Sequence, residues 1–101
     1  MKQSNAIWTK RALKDLEVIY DFLGSKSQTA ALKLIIKLLE IDRYFNTSLF
    51  IDGPSQPSKS KKHDYRYIVE SGHKIIYYRT KSSVYIVGVF DTRQNPKKFK
   101  L

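Results

Sequence analysis

Arg93 is the residue best placed by its neighbours to do chemistry. It follows Val84-Tyr85-Ile86-Val87-Gly88-Val89-Phe90-Asp91, a β-branched and aromatic run that reads as a strand, and it sits in the polar turn Thr92-Arg93-Gln94-Asn95-Pro96. An arginine held where a strand ends can grip phosphate or carboxylate, because its planar fork donates paired hydrogen bonds and keeps its charge. Lys97, Lys98 and Lys100 follow and extend this candidate target-binding set, although a basic chain end is also what a solvated terminus looks like. Lys59, Lys61 and Lys62 form a second basic cluster that can track phosphates, or simply keep a proline-flanked loop in solution. His63 and His73 lack metal-ligand spacing and the chain has no cysteine, so neither a metal site nor a cofactor is expected. His63 and Asp64 are adjacent, and adjacent residues on a strand point apart, so they form no catalytic pair.

The elements that must hold these residues follow from periodicity. Ala6-Ile7-Trp8-Thr9 suits a short first strand, with Trp8 a core anchor. Leu13, Leu16, Tyr20 and Leu23 then recur at helical spacing, with Thr9 as N-cap and Gly24 as stop, which predicts a helix from about Lys10 to Leu23. Asp15 and Glu17 are followed by no close lysine partner. After Ser25-Lys26-Ser27, the positions Ala31, Leu34, Ile35, Leu38, Ile41, Phe45 and Leu49 predict one longer helix, and the short link makes the two antiparallel neighbours. Asp52-Gly53-Pro54-Ser55-Gln56-Pro57-Ser58 ends it with turn formers and prolines.

Tyr65 to Glu70, His73 to Thr80 and Val84 to Asp91 are strand-like, with Ser71-Gly72 and Lys81-Ser82-Ser83 as turns. They predict an antiparallel meander, and the whole reads as α+β: a short N-terminal strand and an α-helical hairpin packed on a C-terminal β-meander. Tyr65, Tyr67, Tyr77, Tyr78 and Tyr85 lie in it. Side-chain alternation turns some of these rings toward the helices as core and leaves others free for base stacking, while Arg66 and Arg79 read best as pairing residues.

A length of 101 residues with 42% hydrophobic content suits one domain over residues 1–101. No apolar run suggests a membrane span, and Met1 to Trp8 lacks the apolar stretch of a secretory signal, so a cytoplasmic protein is expected. The net charge is +10, and residues 59–101 carry eleven Lys/Arg against three Asp/Glu, a net of +8, whereas residues 1–58 carry eight against six. Such a field draws anionic partners without choosing among them.

In order and spacing, Trp8, Ala12, Asp15-Leu16, Tyr67 through Gly72, Ile75-Ile76-Tyr77-Tyr78-Arg79 and Val89-Phe90-Asp91-Thr92-Arg93-Gln94 resemble the RelE/ParE superfamily of bacterial toxins. The resemblance covers nearly the whole chain. It implies the toxin of a type II toxin–antitoxin system, with a small acidic antitoxin as partner and antitoxin-binding residues unassigned. In the RelE-like branch the toxin cuts mRNA on the ribosome, and Lys61, Lys62 and Arg93 fall on that branch's charged positions. Two other positions differ: its strand arginine is Val69 here and its C-terminal tyrosine is Phe99, which removes a charge and a hydroxyl from acid–base and phosphate chemistry. The ParE-like branch, which binds DNA gyrase so that cleaved DNA accumulates, is the better match, although its frequent His-x-Arg near the last strand is Asp91-Thr92-Arg93 here. A non-toxic basic nucleic-acid-binding module is the third reading.

Overall fold

The computed structural model describes residues 5–46, 51–58 and 62–94. Strand β1 (Asn5–Trp8) leads into α1 (Lys10–Gly24), α2 (Gln28–Leu39) and the short α3 (Asp42–Phe45), followed by β2 (Arg66–Glu70), β3 (His73–Arg79) and β4 (Ser83–Asp91). The sheet order is β1-β4-β3-β2. The meander is antiparallel as expected, while β1 runs parallel to β4 and makes the sheet mixed. The helices cover one face, where Ala12, Leu16, Leu38, Ile41 and Phe45 meet Ile75, Tyr77, Val84, Ile86 and Val89.

Local chemistry accounts for most boundaries. Thr9 Oγ1 accepts the Ala12 N–H at 3.3 Å and Ser27 Oγ accepts the Ala30 N–H at 3.2 Å, capping the two long helices. The β2–β3 turn places Ser71 at φ 52° and Gly72 at φ 75°, the doubly left-handed backbone that a tight hairpin requires. Lys14, one turn ahead of Glu17, donates to it at 3.2 Å. One expectation needs correction. The long second helix divides after Leu39 without a proline, because Ile41 N–H turns back to Leu38 O and Tyr44 N–H to Ile41 O. These tighter i→i+3 bonds close off α2, while Leu38, Ile41 and Phe45, spaced as on one helical face, are all buried in the core. Leu49 lies outside the described residues.

Strand β4 carries a bulge. Ile76 pairs with Gly88 and Tyr77 with Ile86, leaving Val87 as the extra residue. Strict alternation would send Val89 to the opposite face from Ile86; the bulge resets the phase so that both enter the core. Strand β1 pairs β4 only from Ser83 to Ile86. Beyond that point α1 closes the edge: Thr9 N–H and Oγ1 both donate to Ile86 O, at 3.1 and 2.8 Å, and Asp15 Oδ2 accepts the Val89 N–H at 3.0 Å. Burial raises the Asp15 pKa, opposed by that N–H and by Arg11.

The segment 51–58 lies along the free edge of β2. Tyr67 N–H donates to Pro54 O and Gln56 N–H to Tyr65 O, at 3.1 and 2.8 Å, protecting an otherwise open strand. Gly53 sits so close that a methyl group in place of its hydrogen would run into the Tyr67 carbonyl. The Tyr77 hydroxyl holds the segment from inside, accepting the Gly53 N–H at 2.9 Å and donating to Asp52 at 3.1 Å. Arg79 Nε also donates to Asp52, at 2.7 Å, and Arg66 Nη1 donates to Gly53 O at 3.0 Å. These two arginines therefore tie down the segment rather than pairing across strands. Burial, with the Asp52 carboxylate beside it, pushes the Tyr77 pKa up to about 12 against the pull of the Gly53 N–H, so the hydroxyl stays a donor. Tyr77→Phe should cost about 1–3 kcal/mol, since the Gly53 N–H loses its acceptor. Gly53→Ala should cost at least as much by prising the segment off β2. Urea unfolding midpoints check both, and wild-type midpoints would show that the segment is not held in this way.

Candidate functional site

Opposite the helices, the sheet presents a second face made by Tyr67 and Val69 of β2, Lys74, Ile76 and Tyr78 of β3, and Tyr85 and Phe90 of β4, as the strand register requires. Its aromatic rings are ordered. Tyr78 and Tyr85 are cross-strand partners with centroids 5.1 Å apart, and the His63 imidazole lies parallel to Tyr78 at 3.7 Å and 4°. Tyr65 meets Tyr78 and His63 edge-on, at 5.8 and 5.7 Å. Toward the other end of the face, the Lys74 ammonium stands 4.0 Å above the Tyr67 ring and 5.8 Å from Phe90, and donates to Gln56 Oε1 at 3.4 Å.

Arg93 lies elsewhere. It borders a groove of about 370 Å³ between α1 and the end of β4, with Val18, Phe22, Val89 and Phe90 supplying apolar surface and Asp15, His73 and Asp91 supplying polar surface. Val18 and Phe22 are 56% and 63% exposed, unusually open for such side chains in a helix that packs on a core. The His73 Nδ1 lies 2.9 Å from Ser71 O, so this nitrogen carries the proton in the neutral ring and Nε2 is left as an acceptor. The Arg93 fork is gripped by its own turn: Nε donates to Asp91 Oδ1 at 3.1 Å, Nη2 to Oδ2 at 2.8 Å, and the backbone N–H to Oδ1 at 2.8 Å.

The structure does not bring the charged candidates together. Lys62 is exposed and lines a cleft with His63 and Tyr65, near Tyr78, whereas Arg93 sits near His73 at the opposite end of β3. Five residues of strand, about 17 Å at some 3.3 Å each, separate Tyr78 from His73. The two also belong to different sides of the sheet, since Asp91 pairs with His73 on the helix-covered side while His63 stacks on the other. Lys61, Lys97, Lys98, Phe99 and Lys100 lie outside the described residues. Val69, where the RelE-like branch has arginine, is 58% exposed beside its cross-strand partner Lys74. Among the described residues no His/Asp/Glu group is arranged to hold a metal ion, and no helix is long and apolar enough to cross a membrane.

Sequence reasoning did not find the His63–Tyr78–Tyr85 stack or the α1–β4 groove. The tyrosines were visible, but their partners depend on strand register, and His63 precedes β2 with no motif to mark it. The register also decides which ring turns inward: Tyr77 is buried, and its ring meets Phe45 at 4.9 Å.

The Arg93 side chain, then its backbone N–H, lowers the Asp91 pKa from 3.8 to about 2. A depressed carboxylate contributes stability above its ordinary pKa and loses it as pH falls through the depressed value. The turn should therefore keep its ion pair down to about pH 2, and an NMR titration of the Asp91 carboxyl carbon should show this midpoint. In Arg93→Ala the midpoint should return toward 3.8, and an unmoved midpoint would remove Arg93 as the cause.

No family model matches the chain, and no curated protein matches it. Among solved structures it is similar to a chain from the "Chromosomal ParDE TA system from P. aeruginosa", with a TM-score of 0.70 and 18% identity over 88% of this chain and 96% of that one. The likeness is one of fold. The α+β architecture of RelE/ParE type that the sequence resembles is the one this chain adopts, shared nearly end to end with a chain of a ParDE system.

Proposed function

We propose that this chain is the toxin of a type II toxin–antitoxin pair, of the ParE-like branch, acting in the cytoplasm by binding DNA gyrase and held inactive by a small acidic antitoxin. The observation that carries this reading is the near-complete structural likeness to a chain of a ParDE toxin–antitoxin system. Two physical features support the partner. The net charge of +10 favours an acidic protein, and the α1–β4 groove, with Val18 and Phe22 open beside Arg93, suits an amphipathic segment that buries apolar side chains and meets charge at its rim.

Gyrase is preferred over mRNA cleavage because a nuclease needs its charged groups convergent on one phosphate. Lys62 and Arg93 sit at opposite ends of β3 and on different sides of the sheet, the Arg93 fork is engaged by Asp91, and Val69 offers no charge. Arg93, Lys97, Lys98 and Lys100 are the residues proposed to contact the target.

Expression of the chain alone should arrest growth, and co-expression with an adjacent small acidic gene product should relieve the arrest and yield a stable complex. A chain that is harmless alone and binds no such product would end the toxin reading. Purified protein should inhibit supercoiling by DNA gyrase or convert it to cleaved DNA, with Arg93→Ala weakening the effect while far-ultraviolet circular dichroism stays unchanged. Ribosome-dependent mRNA cleavage that disappears in Arg93→Ala would instead establish the RelE-like alternative.

A further inference from the structure

The helical hairpin carries more apolar surface than its own core uses. On α2, Leu32, Ile36 and Leu39 recur at i, i+4 and i+7 and so form one stripe, yet each is between 39% and 56% exposed. The inward face of the same helix is supplied by other residues: Ala31 and Leu38 are buried, and Leu34 and Ile35 pack against the core. Leu13 of α1, 49% exposed, adds to the stripe. Trp8 Nε1 donates to Asp42 at one end of the hairpin and Gly24 lies beside Ala31 at the other, which sets Leu13 level with the end of α2. This surface is separate from the α1–β4 groove, to which α1 contributes Asp15, Val18, Ile19, Phe22 and Leu23.

The charges beside the stripe match a second copy of it. Lys33 and Glu40 are two helical turns apart on one flank of α2, with Ile36 midway between them. Both are exposed, and among the described residues neither has an ion-pair partner. When two α2 helices lie antiparallel about a two-fold axis at Ile36, Lys33 of each copy falls opposite Glu40 of the other. An acidic partner gains less here, because residues 1–58 carry a net charge of only +2 against +8 for residues 59–101.

We infer that two copies of this chain associate through the outer face of α2, burying Leu32, Ile36 and Leu39 of both and pairing Lys33 with Glu40 across the two-fold axis. One patch that fits itself is what such an interface requires. A helix of 12 residues is about 18 Å long, so the contact falls below the roughly 800 Å² per partner of a standard interface and the association is reversible. The inference does not rest on the toxin reading, and it leaves the groove free.

Sedimentation equilibrium of the purified chain over a wide concentration range tests it. The apparent mass should climb from one copy toward two. Association should tighten as salt is added, because a net charge of +10 on each copy opposes it and is screened, while apolar burial is not. Ile36→Asp should weaken association about ten-fold or more with an unchanged circular dichroism spectrum, as the residue is exposed; Val18→Asp in the groove should not alter it. Lys33→Glu and Glu40→Lys should each self-associate about three-fold or more weakly, since like charges then face one another, and an equimolar mixture of the two should regain association as a mixed pair. The mass of a single copy at every concentration would overturn the inference. So would weakening by salt, an unchanged equilibrium in Ile36→Asp, an equal loss in Val18→Asp, or a mixture no tighter than its components.

Discussion

The rest of the structure depends on how β4 is satisfied where β1 stops. A strand in the interior of a sheet cannot leave backbone groups unpaired, since each buried and unsatisfied group costs about 1–3 kcal/mol. β1 ends opposite Ile86, and the hydrogen bonds from Thr9 to Ile86 O and from Val89 N–H to Asp15 take over within the next few residues. Both partners flank or lie on α1. The helix is thus fixed across the sheet by polar contacts at the same place where Ala12 and Leu16 fix it by packing. The bulge at Val87 belongs to this arrangement, because it returns Val89 to the core face and puts its N–H within reach of Asp15.

The same constraint shapes the groove. With β1 short, α1 rather than another strand borders the last residues of β4, and among the described residues no further layer covers the helix side chains that wall the space between them. Val18 and Phe22 consequently stay open, beside an acidic and basic rim of Asp15, Asp91 and Arg93. At the other edge of the sheet, the segment 51–58 completes β2, and Tyr77 couples it to the core through one hydroxyl that both accepts from Gly53 and donates to Asp52.

Two surfaces of different physical character result. The groove is apolar at its base with opposed charges at its rim, a combination suited to an amphipathic protein segment. The sheet face opposite the helices carries stacked rings, with the Lys74 ammonium held over Tyr67 at one end and Lys62 exposed at the other, a combination suited to planar or anionic groups. A net charge of +10 accelerates the approach of acidic partners to either surface and discriminates little between them, so selectivity rests on shape and on which groups are already paired.

Much of the architecture was legible in the sequence because it is written in local terms. The 3.6-residue spacing of Leu13, Leu16, Tyr20 and Leu23, the Thr9 cap, the Ser71-Gly72 turn and the three β-branched runs each follow from the conformational preferences of a few neighbouring residues. The division after Leu39 was not legible, since no proline or glycine marks it and Leu38, Ile41 and Phe45 keep the spacing of one continuous helical face across it. Nor were the parallel pairing of β1 with β4, whose partners lie more than seventy positions apart, or the bulge at Val87, which is set by the β3–β4 register and by the Val89 N–H reaching Asp15. For the same reason the sequence marked Arg93 and Lys62 as chemically capable but left their relation open. Tertiary structure decided that they stand at opposite ends of β3, that Asp91 occupies the Arg93 fork, and that His63 stacks on Tyr78, all of which depend on register and on the path of the chain through space.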